Sequence, residues 1–420
     1  MDSKIKRGGT VLFWLCWIAY TTSYITRLNY STAMSTMIAE GLFDKTFGGY
    51  LGTGFFACYG LGQLANGFLG DRIKPKYMIG IGITASGIMN LLMALLANKY
   101  ALLAVWCVNG YCCSMLWAPV IRCFSEYMVA EKRNKAGVSI SSTIPLGGII
   151  SYLLSSLVLG MSGSYRMLFT VSGIIGIAVG ALWIFGMNSL SGYFADVKPI
   201  IAAENGIASG SDTAIRKDNR SFFVLLATTG ALLAMVCIFF NGVLKDGVTL
   251  WIPTLLSDGF GVSPSVASLV ITLLPIVNLA GAYVARFLDR RFFRNELTTV
   301  CFMFGLSFVA VFLLYLIGSL SVVLAAFLVA ACTSSMLGAN SMLLTFIPLS
   351  YSKIGRSSSI TGFFDACSYL ASAVSSPVIA LVSENYGWDI TVLSWCGVAL
   401  AGALFAGIGI PLWKKGREKI

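Results

Sequence analysis

Arg27 and Lys245 are basic residues that stand inside apolar stretches of the sequence rather than at their ends. Charge within a membrane is costly, and it is retained mainly where a side chain faces a cavity and binds something. The planar guanidinium of Arg27 can donate two parallel hydrogen bonds to paired oxygen atoms, and the ammonium of Lys245 adds a compact charge. These residue types predict a site for a phosphoryl or carboxylate group.

Several features of the sequence recur at one offset of 218 residues. An offset that is shared by loops and helices indicates a duplicated half-chain, so Arg27 and Lys245 are expected at equivalent positions. We therefore expect both cations to bind the same anion from opposite halves. The pairs related by the offset are Arg27 with Lys245, Asp71-Arg72 with Asp289-Arg290, Lys76 with Arg294, and Gly41 with Gly259.

Polar side chains at helical spacing accompany the two cations and predict a water-filled pathway. Tyr20 and Tyr24 share a helical face with Arg27, and Asn241 shares one with Lys245. Single polar residues in apolar helices also pair across helix interfaces, which is the competing interpretation for each of them. The predicted substrate-binding residues are Tyr20, Tyr24, Arg27, Tyr59, Gln63, Asn241, Lys245 and Asp365.

Two acidic residues, Asp246 and Asp365, also fall within apolar stretches. Together with Arg27 and Lys245 they bring the formal charge of the embedded set to zero. Either acid can serve to neutralise Lys245. If Asp365 titrates instead, it couples transport to protons.

The composition is that of a membrane protein, with 57% hydrophobic residues, 11% charged residues and a mean hydropathy of +0.82. The chain contains no histidine, which removes histidine-based triads, zinc sites and proton relays. No GxxxxGK[ST] loop is present, and the 11 cysteines show no metal-ligand spacing. We expect a protein that is not an enzyme and that uses no cofactor or metal.

Twelve apolar stretches are long enough to cross about 30 Å of hydrocarbon as helices. Most lysines and arginines fall on one side of this arrangement, so both termini are expected in the cytoplasm of a multi-pass cell-membrane protein. Topology and anionic lipids explain the net charge of +11 without nucleic acid. The predicted spans are 10–37, 47–70, 77–97, 100–121, 137–163, 167–187, 222–256, 262–288, 297–317, 321–348, 357–383 and 390–413.

One long hydrophilic connection, residues 188–220, divides the predicted spans into two groups of six. We expect an N-terminal six-helix bundle over residues 1–187 and a C-terminal six-helix bundle over residues 221–420. The connection is predicted to be a cytoplasmic loop. The whole chain is expected to be an all-α membrane protein that acts as a monomer.

The segment from Gly67 to Lys76, GFLGDRIKPK, resembles the signature between spans two and three of the major facilitator superfamily. A degenerate copy, FLDRRFFR, runs from Phe287 to Arg294. In that family the acidic residue of the loop holds the cytoplasmic helix ends together, often with a basic residue at the end of span four. The resemblance implies a conformational latch of Asp71, Arg72, Arg122, Asp289 and Arg290, which touches no substrate.

A narrower resemblance is to the organophosphate:phosphate antiporters, which include glycerol-3-phosphate and hexose-phosphate carriers. The run from Tyr24 to Asn29 is similar to their Tyr-x-x-Arg-x-Asn pattern, and the run from Lys245 to Pro253 to their Arg-x-Gly-hydrophobic-x-x-Trp-x-Pro pattern. Lys245 replaces the second arginine of that group. Their glycerol-phosphate members carry a span-two lysine where this chain has Gln63, and a span-five histidine that this chain lacks.

These patterns predict a secondary transporter that carries a small organic anion by alternating access. The favoured activity is the exchange of an organophosphate for inorganic phosphate. One alternative is proton-coupled symport of a carboxylate solute such as a sugar acid, with Asp365 carrying the proton. Another alternative is a transporter-like membrane sensor of a phosphorylated ligand.

Overall fold

The computed structural model describes residues 3–129, 132, 135–136, 139–208, 222–351 and 357–417. Almost all of these residues lie in helices, which confirms the all-α class. The helices of the first part are Ser3–Ala39, Lys45–Arg72, Pro75–Leu95, Lys99–Ser114, Trp117–Tyr127, Thr143–Ser162, Tyr165–Ser189 and Ser191–Ala208. Those of the second part are Phe222–Thr229, Ala231–Gly242, Val248–Phe260, Pro264–Val270, Leu274–Leu288, Glu296–Ile317, Val322–Ser341, Ile347–Ser350 and Ser357–Arg417.

Short turns of a different helical pitch connect several of these helices into longer rods. Turns of π-helix occupy Val243–Gly247, Asp289–Phe293 and Met342–Phe346, and turns of 3₁₀-helix occupy Ile140–Ser142, Ile271–Leu273 and Gly318–Leu320. Within the described residues, nine helical segments are long and apolar enough to cross a membrane. One of them, Ile360–Arg417, is interrupted at Gly387, which has φ 80° and ψ 176°.

Two further helices at the start of the chain, Ser3–Ala39 and Lys45–Arg72, contain 37 and 28 residues and so have the length of membrane spans. With the long C-terminal segment divided at Gly387, the described helices are consistent with twelve spans. The turn between the ninth and tenth spans lies at Gly318–Leu320, as Gly318-Ser319 predicts.

Two predicted spans are broken where the sequence disfavours a straight helix. The stretch 100–121 breaks at Met115, because Pro119 has no N–H and its ring clashes with the carbonyl four residues earlier. The stretch 222–256 breaks at Gly230, whose φ of 78° is accessible to glycine at little cost. A Cβ at Gly230 would also lie 2.9 Å from the main chain of Leu412, so both the turn and the close approach require glycine.

The chain forms two compact units. The first contains residues 1–30 and 58–214, and the second contains residues 31–57 and 215–420. In the second unit, residues 31–57 of the first two helices pack with the C-terminal helices, so these units differ from a simple division at the central connection. Within that connection, residues 191–208 are helical, and residues 209–221 lie outside the described part.

Small residues bring helices into main-chain contact inside each unit. In the first unit, a Cβ at Gly87 would lie 2.8 Å from the carbonyl oxygen of Gly173. In the second unit, a Cβ at Gly338 would lie 2.8 Å from the carbonyl oxygen of Gly281. Such close approach is typical of helix packing in membranes, where dispersion between surfaces replaces the hydrophobic effect as the driving force.

Candidate functional site

Arg27 lies on the first helix of the first unit with its guanidinium against two tyrosine rings. Its Cζ is 4.0 Å from the ring centroid of Tyr24 and 5.6 Å from that of Tyr59. Both tyrosines are buried, and Arg27 is partly exposed. Aromatic faces attract a cation, so the two rings hold the guanidinium between them.

The neighbours of these tyrosines bring two more predicted residues to the same place. The amide of Gln63 donates a hydrogen bond to the Tyr59 hydroxyl at 3.0 Å. Tyr20 is buried and packs edge-to-face on Tyr24, with ring centroids 5.7 Å apart. The first unit therefore brings together its five predicted substrate-binding residues, Tyr20, Tyr24, Arg27, Tyr59 and Gln63.

A buried polar network holds the main chain immediately before the arginine. The carbonyl of Thr26 accepts hydrogen bonds from the amides of Asn90 at 2.9 Å and Asn109 at 3.0 Å. Asn29 donates to Asn90 at 2.7 Å, and the Ser86 hydroxyl lies 2.8 Å from the Thr26 hydroxyl. These side chains are at most 1% exposed, so the network fixes the arginine's backbone against the third and fourth helices.

Ser86, Asn90 and Asn109 are not among the site residues predicted from the sequence. The signal available was an amide side chain in each of two otherwise apolar spans, which is costly unless the amide has partners. Asn90 lies in Pro75–Leu95 and Asn109 in Lys99–Ser114.

Lys245 and Asp246 lie in the π-helical turn Val243–Gly247 of the second unit. Lys245 Nζ is 3.0 Å from Asp246 Oδ2, and both side chains are partly exposed. The Ser372 hydroxyl lies 3.2 Å from the same carboxylate oxygen. A π-helical turn holds more residues than an α-helical one and often marks a functional site, so the regular helical spacing assumed for Asn241 and Lys245 does not hold here.

Two other predicted residues of the second unit have different environments. Asp365 is partly exposed and lies within electrostatic range of both Lys245 and Asp246. Asn241 is completely buried, and its amide donates to the carbonyl of Met336 at 2.7 Å. This contact connects Asn241 to the helix Val322–Ser341 inside the second unit, and its contact with a substrate stays a prediction.

Three of the predicted latch residues, Asp71, Arg72 and Arg122, belong to the first unit. Asp71 and Arg72 are the last two residues of the helix Lys45–Arg72, and their side chains lie outside the described part of the structure. Arg122 donates to the carbonyl of Ile73 at 3.1 Å and pairs with Glu126 at 2.5 Å. Arg122 therefore contacts the main chain two residues after the signature acid, and Glu126 is a partner that was not predicted from the sequence.

The second copy of the signature has a buried acid and an exposed base. Asp289 accepts a hydrogen bond from Thr299 at 3.2 Å, and its carbonyl accepts one from the Arg294 N–H at 2.7 Å. Arg294 has φ 52°, the single positive φ at a non-glycine residue in the described chain. Arg290 is exposed on the same turn.

A second charged cluster of the second unit joins the start of the second helix to later helices. Lys45 Nζ is 2.6 Å from Asp258 Oδ2, and the Trp388 indole donates to the same oxygen at 3.3 Å. The Thr46 hydroxyl donates to Glu384 at 2.6 Å. These contacts connect the second helix with the helices that contain Asp258 and Glu384.

The long apolar helices define a multi-pass membrane protein, and sequence comparison identifies its family. The Major Facilitator Superfamily profile matches residues 16–375, and the chain belongs to this family. Membership confirms the predicted fold and the prediction that the chain is a transporter-family protein and not an enzyme.

Individual relatives are distant but extend over nearly the whole chain. A probable hexose phosphate transport protein of Chlamydia pneumoniae is 23% identical over 98% of this chain and 93% of its own. The membrane sensor protein UhpC of Salmonella typhimurium is 23% identical over 92% and 88%. A glycerol-3-phosphate transporter of Bacillus subtilis is 24% identical over 95% and 92%.

Solved structures agree on the fold. A bacterial homologue of the human lysosomal transporter Spinster superposes with a TM-score of 0.73, at 15% identity, over 98% of this chain and 97% of its own. At that identity the likeness shows the fold alone.

Proposed function

We propose that this protein carries a small organophosphate anion across the cell membrane by alternating access, in exchange for inorganic phosphate. The observation that carries the proposal is the Arg27 guanidinium, which is held over Tyr24 and Tyr59 and next to the clamped carbonyl of Thr26. A preorganised guanidinium suits the paired oxygens of a phosphoryl group. The names of the hexose-phosphate and glycerol-3-phosphate relatives point to the same substrate class.

The proposal assigns Arg27 and Lys245 to one substrate, bound from the two halves of the chain. It also places both termini in the cytoplasm, takes the protein as a monomer, and assigns Asp71, Arg72, Arg122, Asp289 and Arg290 to the latch. The support for these points is the shared offset of 218 residues, the distribution of basic residues and the resemblance of the two loop signatures.

Liposome transport tests the exchange. Purified protein is reconstituted into liposomes that contain inorganic phosphate or no anion, and uptake of labelled glycerol 3-phosphate and glucose 6-phosphate is measured. Exchange predicts uptake into phosphate-loaded liposomes and almost none into empty ones, because under this proposal Arg27 and Lys245 need a bound anion to cross the membrane. Equal uptake into both would refute obligatory exchange.

Proton-coupled symport is the second candidate, and the Lys245–Asp246 ion pair favours it. If Asp246 neutralises Lys245, then Asp365 is an additional acid that can carry a proton. Symport predicts that an inward proton gradient drives accumulation into liposomes without internal anion. Asp365→Asn should then abolish accumulation while exchange of preloaded substrate remains measurable.

A membrane sensor is a third possibility, since one relative carries that name. The sensor would bind a phosphorylated ligand without moving it. Saturable binding of glucose 6-phosphate or glycerol 3-phosphate in detergent, with no transport under any of the liposome conditions, would replace the carrier proposal with the sensor.

A further inference from the structure

The described charged side chains around Lys245 in the second unit include one more acid than base. Lys245 Nζ is 3.0 Å from Asp246 Oδ2, so these two groups form an ion pair. Asp365 lies within electrostatic range of both, and in the described part of the chain its carboxylate forms no ion pair or hydrogen bond. Asp365 therefore adds a negative charge next to a pair whose charges already balance.

Two buried oxygen atoms of neighbouring helices have no hydrogen-bond partner among the described residues. One is the hydroxyl of Ser368, a residue that is 1% exposed, and the other is Oδ1 of the completely buried Asn241. A Cβ at Gly242 would clash with the carbonyl oxygen of Ser368, so Asn241 and Ser368 lie at the same level of the two helices. A buried oxygen without a partner costs free energy, and a ligand that donates a hydrogen bond to it recovers this cost.

Asp365, Ser368 and Ser372 share one face of the long C-terminal helix, because three or four residues separate each from the next. The Ser372 hydroxyl lies 3.2 Å from Asp246 Oδ2 and 3.3 Å from the carbonyl oxygen of Gly242, so this face is turned toward the π-helical turn. The helix rises about 1.5 Å per residue, which puts Asp365 and Ser372 roughly 10 Å apart along it. The face thus begins at the carboxylate of Asp365, passes the buried hydroxyl of Ser368 and ends beside Asp246.

An ammonium group matches this arrangement, because it carries a positive charge and three N–H donors, whereas the protein offers a carboxylate and neutral acceptor oxygens. We propose that the substrate is an organophosphate that also carries an ammonium group, and that Asp365 and the Ser368 hydroxyl bind this group. The proposal rests on the proposed function, in which Arg27 and Lys245 bind the phosphoryl group of the same molecule. The length of the helix face, roughly 10 Å, suits the two charged ends of a phosphorylated amino sugar.

The test compares two ligands that differ at one group. Glucosamine 6-phosphate carries an ammonium group where glucose 6-phosphate has a hydroxyl, so the ratio of their dissociation constants measures recognition of the ammonium group. N-acetylglucosamine 6-phosphate is larger but has no ammonium group, and it controls for size. Equilibrium binding is measured in sodium-free buffer with the full-length protein, for the wild type, Asp365→Asn and Ser368→Ala. The matched controls are Asp389→Asn and Ser394→Ala, which change an exposed acid and an exposed serine.

A hydrogen bond between charged groups is stronger than a neutral one, so the wild type should bind glucosamine 6-phosphate about tenfold more tightly than the other two ligands. Asp365→Asn should lose this preference, while its affinity for glucose 6-phosphate should stay within about twofold or increase, because a negative charge has been removed. Ser368→Ala should reduce the preference several-fold without lowering the melting temperature, because this hydroxyl has no described partner to lose. Both controls should keep the preference of the wild type.

The results separate failure of this proposal from failure of the proposed function. If the wild type binds all three ligands equally, or if Asp365→Asn weakens all three equally, the ammonium site is refuted while binding of organophosphates remains. If none of the ligands binds to the wild type, the proposed function and the ammonium site are both refuted. Binding of glucose 6-phosphate that sodium chloride strengthens in the wild type but not in Asp365→Asn would assign these oxygen atoms to a metal ion, and it would also overturn the proposal.

Discussion

Replacement of Arg27 by lysine separates geometry from charge at the proposed transport site. The variant keeps one positive charge on the first helix but loses the planar fork that can donate two parallel hydrogen bonds. The buried network around Thr26 does not involve the Arg27 side chain in its described hydrogen bonds, so the helix backbone should keep its position. We therefore expect the variant to fold normally and to bind anions poorly.

The size of the loss follows from the contacts of the guanidinium. A hydrogen bond to a charged group contributes about 1.5–3 kcal/mol, and lysine retains one of the two bonds that the fork would make. The ammonium keeps part of the attraction to the rings of Tyr24 and Tyr59, which lie 4.0 and 5.6 Å from the guanidinium carbon. A net loss of about 2 kcal/mol corresponds to a Kd about 30-fold higher.

The assay is equilibrium binding of labelled glycerol 3-phosphate to the purified protein, with competition by inorganic phosphate. Arg166→Lys is a matched control in the same unit, because the Arg166 guanidinium lies 5.3 Å from the Tyr165 ring and donates to the carbonyl of Ala94. The control should bind within about twofold of the wild type. If Arg27→Lys also binds the anion within about twofold of the wild type, with an unchanged melting temperature, then the prediction that Arg27 donates two hydrogen bonds to the anion is wrong.

Three further substitutions test the surroundings of the two cations. Asn90→Leu removes a donor to Thr26 and leaves a buried amide without its acceptor, which should cost about 1–3 kcal/mol in the free energy of unfolding and weaken anion binding. Gly147→Ala places a Cβ 2.8 Å from the Tyr24 ring, so it should displace the ring and weaken anion binding several-fold. Asp246→Asn removes the carboxylate that competes for its lysine neighbour, so it should tighten anion binding several-fold.

Each of these variants has a control of the same chemistry. Asn385→Leu alters an exposed asparagine, Gly397→Ala adds a methyl group where no atom lies within 4 Å, and Asp389→Asn alters an exposed acid. All three should match the wild type in thermal unfolding and in anion binding. Unchanged stability in Asn90→Leu would refute the positioning network, and weaker anion binding in Asp246→Asn would show that this acid positions its lysine rather than competing with the ligand.

The membrane fold could be predicted because hydropathy is a strong signal over long stretches of sequence. The turn at Gly318 was also predicted correctly, from a glycine and a serine in a segment without charged residues. The breaks at Met115 and Gly230 were missed, although Pro119 and the glycine itself were visible in the sequence. A run that stays apolar on both sides of a break has the hydropathy of one continuous helix.

The charged residues of the candidate site could be predicted from the sequence. The residues whose position depends on packing between helices, or on a change of helical pitch, could not. Arg27 stood out because a cation in an apolar span has few structural explanations. Asn90 was overlooked because hydrogen bonds to partners in other helices offset the cost of burying its amide. The sequence alone does not show which residues form these pairs. The π-helical turn at Lys245 could not be anticipated, since the spacing argument assumes 3.6 residues per turn.

The shared offset of 218 residues gives Arg27 and Lys245 equivalent positions in the sequence, but the groups around the two cations differ. In the first unit Arg27 lies against neutral aromatic rings, whereas in the second unit Lys245 has Asp246 at 3.0 Å and Asp365 within electrostatic range. An anion that binds Lys245 must compete with a carboxylate, and this competition lowers the advantage of the second cation. Lys245 and its two acids should therefore determine whether the carrier crosses the membrane without its anion.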